Sequence, residues 1–272
     1  MSPPPADAPV RESAYTPPLE PVPDEPAALA RVEGERVLLI ADYHAGIEVG
    51  IRTERGVTVP SRAEARRERL VSLVERTAPD RLVILGDLMH AIGDPGGAER
   101  GELEVLFETL PAGLETTLVK GNHDGNIESW LEGVEVVAGS GVRLGRLGVC
   151  HGHTWPDPDA LTGVDVVCFG HEHPCVRLED DVGGARIERV WLRGRLAADG
   201  FTDREAYTGL EWLTDPSAAP AAVCVPAFND LAGGTWVNLS GQSFLSPFLP
   251  AGITGAEAYL LDGTRLGPYR SI

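Results

Sequence analysis

The chain has 272 residues, enough to bury a sizeable core in one large domain or two small ones. Hydrophobic residues make up 43 % of it, an ordinary share for a globular protein, and no apolar segment approaches the length of a membrane span. The N-terminus lacks the basic and apolar regions of a signal peptide. These features exclude a membrane-spanning protein and predict a cytoplasmic one.

The net charge is −18, and the 41 acidic residues are scattered along the chain rather than grouped. Basic residues number 23, of which only Lys120 is a lysine. This pattern is typical of adaptation to high salt, where ions screen the repulsion between acidic groups, so we predict a halophilic protein. An acidic surface disfavours a basic stripe for nucleic acid, but under such screening the charge says little about the substrate.

The four cysteines have no paired spacing, which predicts small buried thiols and excludes a thiolate-rich zinc site; they are Cys150, Cys168, Cys175 and Cys224. Residues 1–28 are predicted to be a disordered tail, because the first 26 residues hold nine prolines and almost no apolar periodicity. Residues 29–272 are predicted to form a single domain.

Five short apolar runs predict strands, most of them buried on both faces, at residues 36–41, 81–85, 116–119, 142–149 and 164–169. Helices are predicted at residues 61–76, with Ser61 as N-cap and Glu64 three residues later, and at residues 102–110. This alternation of strands and helices predicts an α/β fold. Residues 46–60 are predicted to be a glycine-bearing loop.

The second half of the chain predicts mainly β-structure. Residues 176–178 and 187–191 alternate like a hairpin, and late strands are predicted at 222–225, 235–239 and 258–261. Between them, residues 199–219 are acidic and rich in turn residues, so they are predicted to be an inserted surface segment.

The five apolar runs each end at side chains that can bind a metal ion: Asp42 and His44, Asp87, Asn122 and His123, His151, and His171 and His173. Ligands of α/β sheets bind at the carboxyl ends of the strands. All seven histidines, including His90 and His153, lie at these ends. A polar turn explains residues 121–125 taken alone, and a hydrogen-bonded structural histidine explains His90 or His153. Neither explains the whole set.

Carboxylate, imidazole and amide groups suit borderline-hard divalent ions such as Mn²⁺, Fe²⁺ or Zn²⁺. The set is too large for one ion, which indicates a two-metal site. One carboxylate must then be shared, because two cations about 3.5–4 Å apart need an anion between them.

The chain resembles the calcineurin-like metallophosphoesterases. The resemblance is carried by five motifs in the family's order: Asp42-Tyr43-His44, Gly86-Asp87, Gly121-Asn122-His123-Asp124, His151-Gly152-His153 and Gly170-His171-Glu172-His173. Two stretches, residues 86–90 and 226–238, more narrowly resemble the archaeal SbcD-related, ICC-like branch. The resemblance covers about residues 29–250 and implies a two-sheet mixed β-sandwich flanked by helices.

The resemblance also implies a role for each motif residue. Asp42, His44 and His173 would bind the first metal ion, and Asp87 would bridge both ions. Asn122, His151 and His171 would bind the second. His123 and Asp124 would be catalytic: His123 would assist the leaving group, and Asp124 would orient its ring. Beside these motif residues, His90 and His153 are candidates for phosphate contact or for support of the ligands. Glu48 and Arg52 are candidates for substrate contact, with placement on the surface as the alternative. Asn229 and Asn238 lie in the late branch-like motifs, where turn formation is the alternative.

The implied function is a metal-dependent phosphoesterase with two divalent ions, Mn²⁺ first among them. A phosphodiesterase acting on DNA, RNA or a cyclic nucleotide through a metal-activated hydroxide fits best, with a DNA-repair protein as a partner and no membrane. The alternatives are a small-molecule phosphomonoesterase, a non-catalytic metal-binding scaffold and a structural metal protein. A complete ligand set disfavours a degenerate scaffold, and the additional imidazole of His123 disfavours a purely structural site.

Overall fold

The computed structural model describes residues 19–93, 96–180 and 182–272. Its first β-sheet has six strands, which are neighbours in chain order: β1 (Leu19–Pro21), β2 (Ala27–Val32), β3 (Glu35–Ile40), β4 (Arg81–Ile84), β5 (Glu115–Val119) and β6 (Glu135–Val137). The strands from β3 to β6 are parallel, whereas β1, β2 and β3 pair antiparallel. The helices of this half are α1 (Ile47–Arg55), α2 (Ala63–Thr77) and α3 (Gly97–Thr109).

The second sheet has eight strands: β7 (Val142–Leu144), β8 (Leu147–Cys150), β9 (Val166–Phe169), β10 (Cys175–Glu179), β11 (Ala185–Leu196), β12 (Ala221–Cys224), β13 (Ile253–Leu260) and β14 (Arg265–Pro268). Their spatial order is β14-β13-β11-β12-β9-β8-β7, and β10 pairs with β11. β8, β9 and β12 are parallel, and the other pairs are antiparallel. A short helix, α4 (Pro158–Leu161), precedes β9.

The core has three layers because the central strands are buried on both faces. Val37 and Leu39 of β3 face the second sheet, where they share a cluster with Val149 of β8. Leu38 and Ile40 point the other way, into a cluster formed with α2 and α3. This period of two, with both faces covered, explains why β3 and β4 are continuous apolar runs in the sequence.

The predicted tail extends too far along the chain. Residues 19–28 include β1 and the start of β2, and β2 pairs with β3 along its whole length. Pro21 is tolerated because β1 lies at the edge of the sheet, where a missing N–H breaks no ladder. The remainder of the predicted tail, residues 1–18, lies outside the described residues.

Three other element predictions need correction. The predicted loop at residues 46–60 contains α1. Residues 199–219 are not a surface insertion, because Phe201, Tyr207 and Trp212 pack into the core on the outer face of the second sheet. Short 3₁₀ turns, at Ala198–Gly200, Glu205–Tyr207, Glu211–Leu213 and Pro216–Ala218, bring these rings inward from an acidic stretch. Residues 235–239 form no strand, and Trp236 makes one isolated bridge to Cys175.

The four cysteines are buried free thiols, as their spacing predicts. Within the described ranges, no α-helix combines the length and the apolar composition that a bilayer crossing requires.

Candidate metal centre

The strand ends of both sheets converge at one edge of the sandwich. Ile40, Ile84 and Leu118 are neighbours across β3, β4 and β5, and Cys150 is the neighbour of Phe169 across β8 and β9. Because these parallel strands finish together, the residues that follow them lie side by side. The structure brings all seven predicted ligand residues to this edge.

The first ligand group contains the four residues Asp42, His44, Asp87 and His173. Each offers one ligand atom, and the four atoms lie within 4.8 Å of one another. Nε2 of His173 is 3.2 Å from Oδ1 of Asp42 and 3.3 Å from Nε2 of His44. Three of these side chains are almost completely buried, and His173 is partly accessible.

The second ligand group contains Asp87, His151 and His171, again with ligand atoms within 4.8 Å of one another. Nε2 of His151 is 3.4 Å from Oδ1 of Asp87 and 3.3 Å from Oδ1 of Asn122, so the Asn122 amide lies against this group. Asp87 therefore belongs to both groups. This donor set of carboxylates, imidazoles and one amide oxygen fits divalent metal ions.

Backbone carbonyls orient two of the imidazoles. Nδ1 of His173 donates to the carbonyl of Gly233 at 2.7 Å, and Nδ1 of His151 donates to that of Leu85 at 2.7 Å. Because a carbonyl can only accept, each Nδ1 carries a proton, and Nε2 is the nitrogen that faces the centre.

Strained backbone is concentrated at this edge. Eight non-glycine residues of the described chain have positive φ, and five of them are predicted ligands: Asp42 (56°), His44 (48°), Asp87 (49°), His171 (68°) and His173 (43°). A left-handed conformation costs about 1–2 kcal/mol per residue for side chains other than glycine. Such strain persists where the surrounding structure enforces it, and it is typical of functional sites.

Two glycines leave the space that the ligands fill. A Cβ on Gly121 would lie 2.0 Å from Oδ1 of Asp87. Gly86 has a φ of +84°, and a Cβ there would lie 2.1 Å from Nδ1 of His151. Both motif positions therefore require glycine because a ligand side chain packs directly against the backbone.

The charges of the site favour a cation. Burial raises the pKa of Asp42 and Asp87, but the neighbouring histidines outweigh it and hold both carboxyls ionised. Burial, together with His173, lowers the pKa of His44 to about 3. Burial and His151 lower the pKa of His171 to about 4. For His151, burial lowers the pKa, but Asp87 outweighs it and raises the value to about 9.

His123 lies at the mouth of the site, with 21 % of its side chain exposed. Its Nε2 is 3.9 Å from Oδ2 of Asp87, and Nδ1 donates to the backbone carbonyl of His90. The ring stacks on that of His90, with centroids 5.7 Å apart. It lies nearly perpendicular to the ring of His44, with centroids 5.2 Å apart.

The hydrogen bonds of Asp124 differ from those that its predicted orienting role requires. Its carboxylate is completely buried and accepts the backbone N–H groups of Gly121 at 2.7 Å and Met89 at 3.1 Å. It thus joins the loops after β4 and β5. The His90 carbonyl holds the His123 ring instead, because the Asp124 side chain points under the loop.

His90 and His153 lie on opposite sides of the ligand groups. Nδ1 of His90 is 3.4 Å from Nδ1 of His44, and His44, His90 and His123 offer nitrogens within 4.8 Å of one another. The ring of His153 is 5.1 Å from that of His151 and 6.0 Å from that of His171. Both are partly exposed side chains at the rim.

Of the four other residues singled out in the sequence, three have structural contacts that the motifs alone do not specify. Glu48 is buried against Arg66, whereas Arg52 is exposed on α1. Asn229 and Asn238 both donate to backbone carbonyls.

Sequence reasoning missed Glu172, which lies between two predicted ligands. Its buried carboxylate accepts the N–H of Ser246 at 2.6 Å and the hydroxyl of Thr235 at 2.8 Å. An acid placed directly between His171 and His173 was the available signal.

The fold and site together are two stacked mixed sheets with a cluster of histidines and carboxylates at their strand ends, a donor set that fits divalent metal ions. Residues 35–175, slightly more than half of the chain, match the family model of the calcineurin-like phosphoesterases. The chain belongs to this family. The predicted two-sheet fold is thereby confirmed, and so is the family on which the sequence resemblance rests.

Among solved structures, the chain is similar to nuclease MPE from Pseudomonas putida, with a TM-score of 0.52 and 19 % identity over 91 % of this chain and 100 % of that one. At this identity the likeness concerns the fold alone. It is also similar to Yfce, a phosphoesterase from E. coli, at 23 % identity over 53 % of this chain and 73 % of that one, with a TM-score of 0.33. No curated protein matches the chain.

Proposed function

We propose that this chain is a phosphodiesterase that acts on nucleic acid or nucleotides with two divalent metal ions, preferentially Mn²⁺. The observation that carries the proposal is the position of Asp87, whose carboxylate belongs to both ligand groups. A shared carboxylate is what a pair of closely spaced cations requires. Asp42, His44 and His173 would complete the first site, and Asn122, His151 and His171 the second.

The bound ions would supply a water of lowered pKa and would neutralise charge on the phosphoryl oxygens. The protein's own part is to fix the imidazoles through the Gly233 and Leu85 carbonyls, so that Nε2 faces the centre. Buried surroundings strengthen these interactions, since little water competes with them.

His123 would act on the leaving group. Because its Nδ1 donates to the His90 carbonyl, Nε2 is the nitrogen left to face the departing oxygen, and it would hand over its proton from the imidazolium form, which carries a proton on both nitrogens. Nε2 of His123 is 3.9 Å from Oδ2 of Asp87. His123 is nevertheless not a member of the first or the second ligand group, both of which contain Asp87. Its partial exposure lets a substrate reach it.

Nucleic acid or nucleotides are the substrates that the narrower motif resemblance favours, at residues 86–90 and 226–238. The protein of similar fold from Pseudomonas putida is named a nuclease, which is compatible with the same choice. We also propose that the chain belongs to the SbcD-related branch and has a DNA-repair protein as its partner. We further propose that it is cytoplasmic and adapted to high salt.

The test is hydrolysis of bis(p-nitrophenyl) phosphate, a diester, and p-nitrophenyl phosphate, a monoester, in high KCl with Mn²⁺. We expect diester turnover that EDTA abolishes and added Mn²⁺ restores. Metal-dependent turnover of the monoester alone would replace the diesterase with a phosphomonoesterase, and turnover of neither would exclude an enzyme. Single-stranded DNA, RNA and cyclic nucleotides then separate the substrate classes.

The role of His123 is tested by His123→Ala. Loss of a general acid lowers turnover by about 10²–10⁴-fold, whereas bound metal should stay near two ions per chain. His173→Ala is the matched control, because it removes a predicted ligand and should release metal. If His123→Ala released metal as well, His123 would be a ligand and its assigned role would be wrong.

A further inference from the structure

The segment of residues 226–246 supplies none of the predicted ligands, yet it contacts two of the loops that do. The N–H of Phe228 donates to the carbonyl of Ala41 at 2.8 Å, and the N–H of Asn229 to that of Asp42 at 3.3 Å. Farther along, the carbonyl of Gly233 accepts from His173 at 2.7 Å. The segment therefore connects both ends of the first ligand group.

The side chain of Asn229 is the most specific of these contacts. It is 1 % exposed, and its Nδ2 donates to the carbonyls of Tyr43 at 2.9 Å and His44 at 3.1 Å. Its Oδ1 accepts the N–H of Leu231 at 2.9 Å. Both amide hydrogens are thus used on consecutive carbonyls of the stretch that carries Asp42 and His44.

The backbone of residues 42–44 has a conformation that aspartate and histidine adopt only at a cost in energy. Asp42 and His44 have φ values of 56° and 48°, on either side of Tyr43. The ring of Tyr43 points into the core and stacks on Phe228, with centroids 5.8 Å apart and planes 12° apart. Phe228 therefore fixes the middle side chain, and Asn229 fixes the carbonyls around it.

We propose that Asn229 is a positioning residue of the metal centre. Its two N–H donors hold the left-handed turns at Asp42 and His44, so that the carboxylate and the imidazole converge with those of Asp87 and His173. Without the donors, two buried carbonyls lose their partners and the strained turns can relax, which rotates both ligand side chains away from each other. This inference rests on the proposed function, because it assumes that these residues bind metal.

A purely local role for Asn229 predicts a different result. The contact from Leu231 to Oδ1 closes a two-residue turn that an aspartate would also close. Asn229→Asp keeps that acceptor and the side-chain volume but loses both N–H donors. Asn229→Ala loses all three contacts without adding charge. If turn formation were the only role, the aspartate variant would behave like the wild type.

Asn238 provides a matched control elsewhere in the same region. Its Oδ1 accepts the N–H of Arg177 at 3.0 Å, and its Nδ2 donates to the carbonyls of Arg177 at 2.9 Å and Ile272 at 3.3 Å. Asn238 thus donates two hydrogen bonds and accepts one, as Asn229 does, but it is only partly buried and none of its partners is a predicted ligand. Asn238→Asp and Asn238→Ala remove the same number of hydrogen bonds outside the ligand loops.

The experiment is calorimetric titration of Mn²⁺ into the chelator-treated full chain and the four variants in high KCl, with circular dichroism to verify folding. We expect both Asn229 variants to bind one of the two ions about 10–100-fold more weakly, and both Asn238 variants to stay within about twofold of the wild type. Agreement between the alanine and aspartate variants excludes an effect of added charge.

Wild-type affinity in Asn229→Asp, or equal losses in the Asn229 and Asn238 variants, would overturn the positioning role alone. Absence of Mn²⁺ binding by the wild type would overturn the metal centre and the proposed function together with it. The two failures are therefore distinguishable within one set of titrations.

Discussion

At the scale of single residues, the neighbours His123 and Asp124 have separate tasks. His123 points to the mouth of the site, whereas Asp124 points beneath the loop and accepts the N–H groups of Gly121 and Met89. Adjacent side chains of a turn can face opposite directions, and the motif alone does not say which of them faces the substrate.

Asp124→Ala should therefore destabilise the fold. It leaves two buried N–H groups without an acceptor, each of which costs about 1–3 kcal/mol, and urea unfolding would measure the loss. His123→Ala should cost less, about 1 kcal/mol, because it removes one hydrogen-bond donor at the partly exposed mouth of the site. If Asp124→Ala kept full stability and lost only turnover, the orienting role predicted from the sequence would be right after all.

The predicted ligands come together because each immediately follows a buried strand, and parallel strands in register end at one edge. The supporting residues could not be predicted in the same way. Asn229 contacts the carbonyls of Tyr43 and His44, which precede it by 186 and 185 residues. Glu172 accepts the N–H of Ser246, which follows it by 74 residues. Such pairings depend on how loops pack after the sheets have formed. The position of Glu172 between two histidines marks the residue in the sequence but does not indicate its distant partner.

At the scale of elements, a buried ion cluster joins the three helices of the first half. Arg66 of α2 donates to Glu102 of α3 at 2.6 Å and lies 3.3 Å from Glu48 of α1. The other oxygen of Glu102 accepts the N–H of Gly46, the residue before α1. All three charged side chains are buried, so the cluster fixes the helix that follows the first metal motif.

Arg66→Ala should cost about 3–5 kcal/mol of unfolding free energy, because it leaves two buried carboxylates without a cation. Arg66→Lys should lie between this variant and the wild type, since it keeps the charge and loses the planar fork. The neighbouring Arg67→Ala is the control, and urea unfolding should change by less than about 0.5 kcal/mol. A loss in Arg66→Ala no larger than that of the control would show that the cluster adds nothing.

The same cluster gives a pH dependence of known sign. Burial raises the pKa of Glu48, but the N–H of Arg62 and the guanidinium of Arg66 outweigh it and hold the pKa below its ordinary 4.5. A lowered carboxyl pKa stabilises the fold above the ordinary value, and this contribution is lost as the pH falls through the lowered one. The difference in stability between wild type and Arg66→Ala should therefore shrink below about pH 4.5.

Strands could be predicted from the sequence where a continuous apolar run was the dominant local pattern. The strands β3, β4 and β9 are continuous apolar runs and were predicted to within two residues. Helix α1 was missed because the stretch carries Gly46, Gly50 and Gly56, which read as a loop. Gly50 lets the ring of His90 pack against α1, since a Cβ would lie 2.3 Å from that ring as it is placed. A tertiary contact thus overrides the local propensity.

At the scale of the whole molecule, each sheet contributes part of the centre. Asp42, His44, Asp87 and Asn122 follow strands of the first sheet, and His151, His171 and His173 follow strands of the second. Any change that alters the stacking of the two sheets also changes the distances between ligands. Stability of the fold and affinity for metal are therefore coupled, and bound metal should raise the unfolding temperature.

The net charge of −18 acts on the whole molecule. At about 0.1 M salt the screening length is about 10 Å, so acidic groups scattered over the surface repel one another and favour expansion. At about 1 M it falls to about 3 Å, and little of that repulsion is left. The unfolding temperature of the metal-free chain should therefore rise steeply with KCl up to about 1 M and more slowly beyond it.

Sucrose is the control, because it is excluded from protein surfaces but screens no charge. If screening dominates, sucrose at low salt should recover only a small part of the effect of KCl. An unfolding temperature independent of KCl, or full fold and activity at low salt, would contradict adaptation to high salt. In that case the scattered acidic residues would need another explanation, and the acidic charge would again weigh against a polyanionic substrate.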